Sequence, residues 1–130
     1  MTAKPSGWIG VDLDGTLAVY DGWKGPNFIG APIAPMVNRV KEWLAQGRQV
    51  KIMTARVGPR KTSKDPFDTA AQQTYIIKRW CKTHLGQELE VTATKDFGME
   101  VLYDDRAIQV EPNTGRLIGS PFEHAETLPK

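Results

Sequence analysis

Trp8-Ile9-Gly10-Val11-Asp12-Leu13-Asp14-Gly15-Thr16-Leu17 is the stretch on which the reading of this chain turns. Its first four residues form an apolar run of strand length, and the run empties into two carboxylates and a glycine turn. Carboxylates at the carboxyl end of a buried strand sit in the crevice where open α/β sheets bind ligands. Two of them, separated by a single residue, can divide a reaction, one attacking and the other moving protons. At average residue usage an Asp-x-Asp-Gly-Thr string arises by accident in roughly one chain of this length in a thousand. The bland account of the same letters is an Asx turn closing a strand.

Outward from this string, 130 residues suit one compact domain with a core over about 8–119 and an irregular tail over 120–130. Hydrophobic residues at 40% and charged residues at 25% are ordinary for a soluble globular protein, and no apolar run approaches a membrane span. No apolar segment of signal-peptide type precedes Trp8, and the single cysteine, Cys81, fits a reducing compartment. A cytoplasmic protein with no membrane partner is the expectation. A net charge of +2 is too small to mark a dedicated nucleic-acid binder, although basic residues cluster locally.

After the first strand, residues 18–34 are rich in Gly and Pro and read as a flap. A helix is predicted from about Pro35, with Val37, Val40 and Leu44 on one face and Gly47 as terminator. Val50-Lys51-Ile52-Met53 reads as a second strand ending at Thr54, followed by a basic loop holding Arg56, Arg60, Lys61 and Lys64. Asp65-Pro66-Phe67-Asp68 reads as the N-cap and first turn of a long helix ending near Gly86, with Ile76, Ile77, Trp80, Cys81 and Leu85 as its apolar stripe. Leu89 to Thr92 and Val101-Leu102-Tyr103 read as two further strands. The short stretch between them, Ala93 to Glu100, must be a tight loop or a single helical turn, since a parallel crossover normally takes a dozen or more residues. Ile108 to Val110 and Leu117-Ile118 flank a turn-rich segment and predict a terminal hairpin. The fold class expected is α/β, a single Rossmann-like three-layer domain with a mainly parallel central sheet.

Asp12 and Asp14, Thr54, Lys95 and Asp104-Asp105 each follow one predicted strand, and in a parallel sheet those ends share an edge. Three or four carboxylates at one crevice make a hard-oxygen site for Mg²⁺. This set, in this order, resembles the haloacid dehalogenase-like hydrolase superfamily, whose pattern is Asp-x-Asp-Gly-Thr, then Thr or Ser, then Lys, then an acidic pair. The resemblance covers residues 8 to about 110. It implies that Asp12 is the nucleophile, forming an aspartyl-phosphate, and that Asp14 is the general acid and base. Such a division demands surroundings that raise the Asp14 pKa while Asp12 stays ionised. By the same resemblance Mg²⁺ is held by the Asp12 side chain, the Asp14 backbone carbonyl and a side chain of Asp104 or Asp105, with the choice between those two open. Thr54 and Lys95 would bind the phosphate, Lys95 being preferred to Lys78 because it lies on a loop. Arg56 and Trp23 are the candidate substrate contacts.

Asp14 also selects among reactions, since dehalogenating members of the superfamily lack a second carboxylate there and the transport ATPases carry Thr. The intervals after Asp14 and after Thr54 leave no room for a cap domain, so a capless phosphatase is expected. Its open crevice suits a small phosphorylated substrate, contacted by Trp23, Lys24, Asn27 and Phe28 or by a neighbouring subunit of a homo-oligomer. The alternative is a phosphate on a nucleic-acid end, because the phosphatase half of polynucleotide kinases resembles this pattern, including the Arg106 that follows the acidic pair. A non-catalytic binding module on the same fold is the third reading.

Overall fold

Strand β1, Trp8–Val11, is buried at all four positions, as an apolar run with neighbours on both sides requires. The structure, a computed structural model, describes residues 7–59 and 64–119. Helix α1 (Ala34–Ala45), strand β2 (Gln49–Met53), helix α2 (Ala70–Leu85) and strands β3 (Glu90–Thr92) and β4 (Met99–Tyr103) follow β1. The expected hairpin is present as antiparallel β5 (Gln109–Val110) and β6 (Leu117–Ile118). The central sheet has four parallel strands in the order β3-β2-β1-β4. This is a mixed α/β protein, compatible with a Rossmann-like arrangement.

Both helices cover one face of that sheet. Ile9, Val11, Val50 and Ile52 share a single cluster with Met36, Val37 and Val40 of α1 and with Ile77, Trp80, Cys81 and Leu85 of α2. Each large apolar side chain removed from water there contributes roughly 1.5–3 kcal/mol. Burial also pushes the Cys81 thiol up to about 12, which leaves it a packing residue rather than a nucleophile.

The other face corrects the three-layer expectation. It carries Trp8, Gly10, Lys51 and Leu102, and among the described residues it is crossed by the link 93–98 and by no helix. The Trp8 indole N–H donates to Asp96 Oδ1 at 2.8 Å, and the Lys51 ammonium lies 4.7 Å from the Trp8 ring. So short a link suffices because the edge strand is short. Neighbouring strands lie about 4.8 Å apart, and three spacings fall within the ~20 Å that six extended residues span.

Helix ends follow the sequence at three of four places. Pro35 occupies the first turn of α1, and Gly47, at φ 81°, donates to the Leu44 carbonyl as the helix closes. Gly86, at φ 87°, ends α2. The start of α2 differs from expectation: Thr69, not Asp65, is the N-cap, its hydroxyl accepting from the Gln72 N–H at 3.1 Å. Asp65 instead accepts from the Phe67 N–H at 2.8 Å, an Asx turn that Pro66 favours, and the helix begins after it. Arg60 and Lys61 of the expected basic loop, and the tail 120–130, lie outside the described residues.

The flap is a loop with a closed neck. Val19 donates to the Ala31 carbonyl and Ile33 to the Leu17 carbonyl, both at 2.8 Å. The two strands of the neck approach so closely that a Cβ on Gly30 would stand 1.9 Å from the Val19 oxygen.

Candidate active site

Parallel pairing of β1 with β4 brings together chain ends that are far apart in sequence. The Asp12 N–H donates to the Tyr103 carbonyl at 2.9 Å, so the ladder runs one residue beyond β1 and delivers Asp12 beside Asp104 and Asp105. Carboxylate oxygens of these three residues lie within 4.8 Å of one another. Asp104 and Asp105 both belong to the cluster, so either can complete a ligand set.

The turn after β1 is shaped around Asp105. Gly15 has φ 90°, and a Cβ there would stand 2.5 Å from Asp105 Oδ2, so the motif's glycine is required both by backbone and by space. The Thr16 hydroxyl, nearly buried, donates to Asp105 Oδ1 at 2.9 Å and accepts from the Asp105 N–H at 3.0 Å. Thr16 carries no role in the sequence reading. Its signal was its place in the motif itself.

Burial, a hydrogen bond to the Asp105 carboxyl and the negative charges of Asp104 and Asp105 raise the Asp12 pKa to about 7. The sequence reading expected Asp12 to stay ionised; here burial first, and the neighbouring acidic groups after it, favour its protonated form. Hard oxygen donors in this arrangement suit a divalent cation such as Mg²⁺, which would take the place of that proton.

The Asp14 side chain lines the same cavity as Asp12 and Asp105 but is not part of the acidic cluster. Both of its oxygens accept from Arg56, Oδ2 from Nε at 2.7 Å and Oδ1 from Nη2 at 2.9 Å. Arg56 is only 7% exposed and sits in a short helical turn, which separates it from the basic loop expected to begin with it. The Thr54 hydroxyl accepts from the Arg56 N–H at 3.1 Å and starts a short 3-10 turn, Ala55–Val57, that aims the guanidinium inward. From there Nη2 also donates to the Phe28 carbonyl at 2.8 Å, Nη1 donates to Gln73 Oε1 at 3.1 Å, and the Trp23 ring lies 5.0 Å from the guanidinium carbon.

These groups border a cavity of about 320 Å³ lined by Asp12, Asp14, Thr54, Arg56, Asp105 and Arg106, with Tyr20 and Trp23 of the flap as its aromatic wall. A second hollow of about 330 Å³ is bordered by Asp12, Thr54, Ala93, Asp104 and Arg106. Thr54 lines both. Lys95 is exposed on the link between β3 and β4 and lines neither. Among the described residues, no helix is long and apolar enough to cross a membrane.

No family model and no curated protein matches this chain. Among solved structures, it is similar to a conserved protein coded by a locus of Bacteroides thetaiotaomicron, at 19% sequence identity and a TM-score of 0.52, over 78% of each chain. That likeness extends to the α/β fold alone.

Proposed function

We propose that this protein is a Mg²⁺-dependent phosphomonoester phosphatase of the haloacid dehalogenase-like type. The observation that supports this most directly is the meeting of Asp12, Asp104 and Asp105 beside a cavity that Asp14 also lines. Asp12, Asp104 or Asp105 and the Asp14 backbone carbonyl would hold Mg²⁺, which would supply charge neutralisation and orientation for the incoming phosphate. An Asp12 carboxylate oxygen attacks phosphorus as the ester P–O bond breaks, giving an aspartyl-phosphate and an alkoxide oxygen. Asp14, which enters the cycle protonated with that oxygen released from Arg56, gives its proton to the alkoxide oxygen and the alcohol leaves. The Asp14 carboxylate then takes a proton from water as the water oxygen attacks phosphorus. The bond to Asp12 breaks, inorganic phosphate departs, and both carboxyls return to their starting states. Thr54 is the phosphate contact in this reading, and Arg106, which borders both hollows where the expected Lys95 borders neither, is the cation for the same anion. Arg56, occupied by Asp14 and the flap, steers the acid rather than the substrate.

The test is phosphate release by the full chain with Mg²⁺ on p-nitrophenyl phosphate, sugar phosphates, nucleotides and end-phosphorylated oligonucleotides. Chelator and Asp12→Asn should each abolish it. Turnover by Asp12→Asn at the wild-type rate would remove the nucleophile and the proposal with it.

A nucleic-acid end is the second reading, favoured by one feature. Tyr20 and Trp23, each about half exposed, wall the same cavity as Asp12 and could stack a base next to a bound phosphate. That reading requires oligonucleotide binding that weakens steeply with salt. Binding indifferent to salt rejects it.

A further inference from the structure

Gln73 is the one polar side chain on the buried stripe of α2, where Ile77, Trp80, Cys81 and Leu85 are otherwise apolar, and it is 0% exposed. A fully buried amide is costly unless both ends are satisfied, and here each end is committed to a different element. Its Oε1 accepts from Arg56 Nη1 at 3.1 Å, and its Nε2 donates to the Pro26 carbonyl of the flap at 2.6 Å. Arg56 in turn grips both oxygens of Asp14 and the Phe28 carbonyl, two residues along the flap from Pro26. A continuous chain of hydrogen bonds therefore runs from the flap through α2 to Asp14.

We infer that Gln73 is a positioning residue that couples the flap to the Asp14 carboxylate through Arg56. With the amide in place, the guanidinium is fixed from behind by Gln73 and from above by the flap, so the fork it presents to Asp14 has one orientation. Without the amide, the Pro26 carbonyl and the Arg56 Nη1 lose a shared partner inside the protein. The flap turn then loosens, and Asp14 is held less accurately. This rests on the phosphatase reading for its consequence in catalysis, but not for the coupling itself.

Two variants separate the links. Gln73→Leu removes both bonds at similar volume. Gln73→Glu keeps an acceptor for Arg56 but turns an oxygen toward the Pro26 carbonyl, cutting the flap link alone. In hydrogen exchange on the full chain, amides of residues 23–29 should exchange about tenfold faster in both variants, with β1 and β2 unchanged. With Mg²⁺, Gln73→Leu should lower kcat on glycerol 2-phosphate, whose alkoxide needs a proton, about tenfold more than on p-nitrophenyl phosphate, whose phenolate leaves without one. Gln73→Glu should narrow that gap to about threefold or less. Unaltered flap exchange in both variants overturns the coupling. Equal losses on the two substrates in Gln73→Leu reduce Gln73 to a packing role and overturn the positioning. A wild-type protein that releases no phosphate from either ester defeats the phosphatase reading, while the exchange measurement still decides the coupling. Should Gln73→Leu not fold, Gln73→Glu decides through exchange.

Discussion

Asp12 is where the sequence and the electrostatics meet. Its folded pKa of about 7 lies above the ordinary 3.8, so between those values the folded chain keeps a proton that the unfolded chain has released. The resulting stability is fully present below about pH 4 and is lost as pH rises through about 7. Thermal unfolding of the metal-free protein should therefore fall in midpoint from about pH 5 to pH 8, and Asp12→Asn should flatten that slope. Millimolar Mg²⁺ should raise the midpoint at about pH 8 more than at pH 5, because a cation then replaces the missing proton. Gly15→Ala sets a strained φ and drives a methyl group into the Asp105 carboxylate. It should cost about 1–3 kcal/mol in denaturant unfolding and weaken the Mg²⁺-induced stabilisation. The three carboxyls were legible because each stands at the end of an apolar run, and strand ends in a parallel sheet share an edge. The inward turn of Arg56 was not legible, since the residue type favours solvent and only the folded flap offers it the Phe28 carbonyl. Gln73 left a faint trace, a polar residue in register with Ile77 and Trp80.

Among elements, α2 shows how local chemistry can offer two starts and tertiary structure choose one. Asp65-Pro66 and Thr69 both carry capping side chains, and only Thr69 accepts from an amide of the helix. Thr69→Ala should cost about 1 kcal/mol in equilibrium unfolding, and Asp65→Ala clearly less. Equal costs would move the cap back to Asp65. The link between β3 and β4 departs from the usual parallel connection for a physical reason. A typical parallel crossover contains a helix, and the short β3 makes one unnecessary here.

For the molecule as a whole, the two faces of the sheet are stabilised by different means. One is closed by two helices, the other by the link 93–98 folded over Trp8, which is 3% exposed and clasped by Asp96 and Lys51. Trp8→Ala should lower stability by about 3–5 kcal/mol in urea unfolding, whereas Trp8→Phe should lose less because the ring face survives. Fold class, strand order of appearance and the terminal hairpin could be read from periodicity. That both helices choose the same face could not, because it follows from β2 and then β3 being added on the same side of β1, a property of the path rather than of any segment. The β1–β4 pairing has a consequence for the protein as it is made. Asp12 leaves the ribosome with the first strand, yet its acidic companions emerge some 90 residues later, on the last strand to join the sheet. On the phosphatase reading, a nascent chain that has emerged only as far as β3 carries the proposed nucleophile without its acidic companions, and should neither take up Mg²⁺ nor turn over substrate.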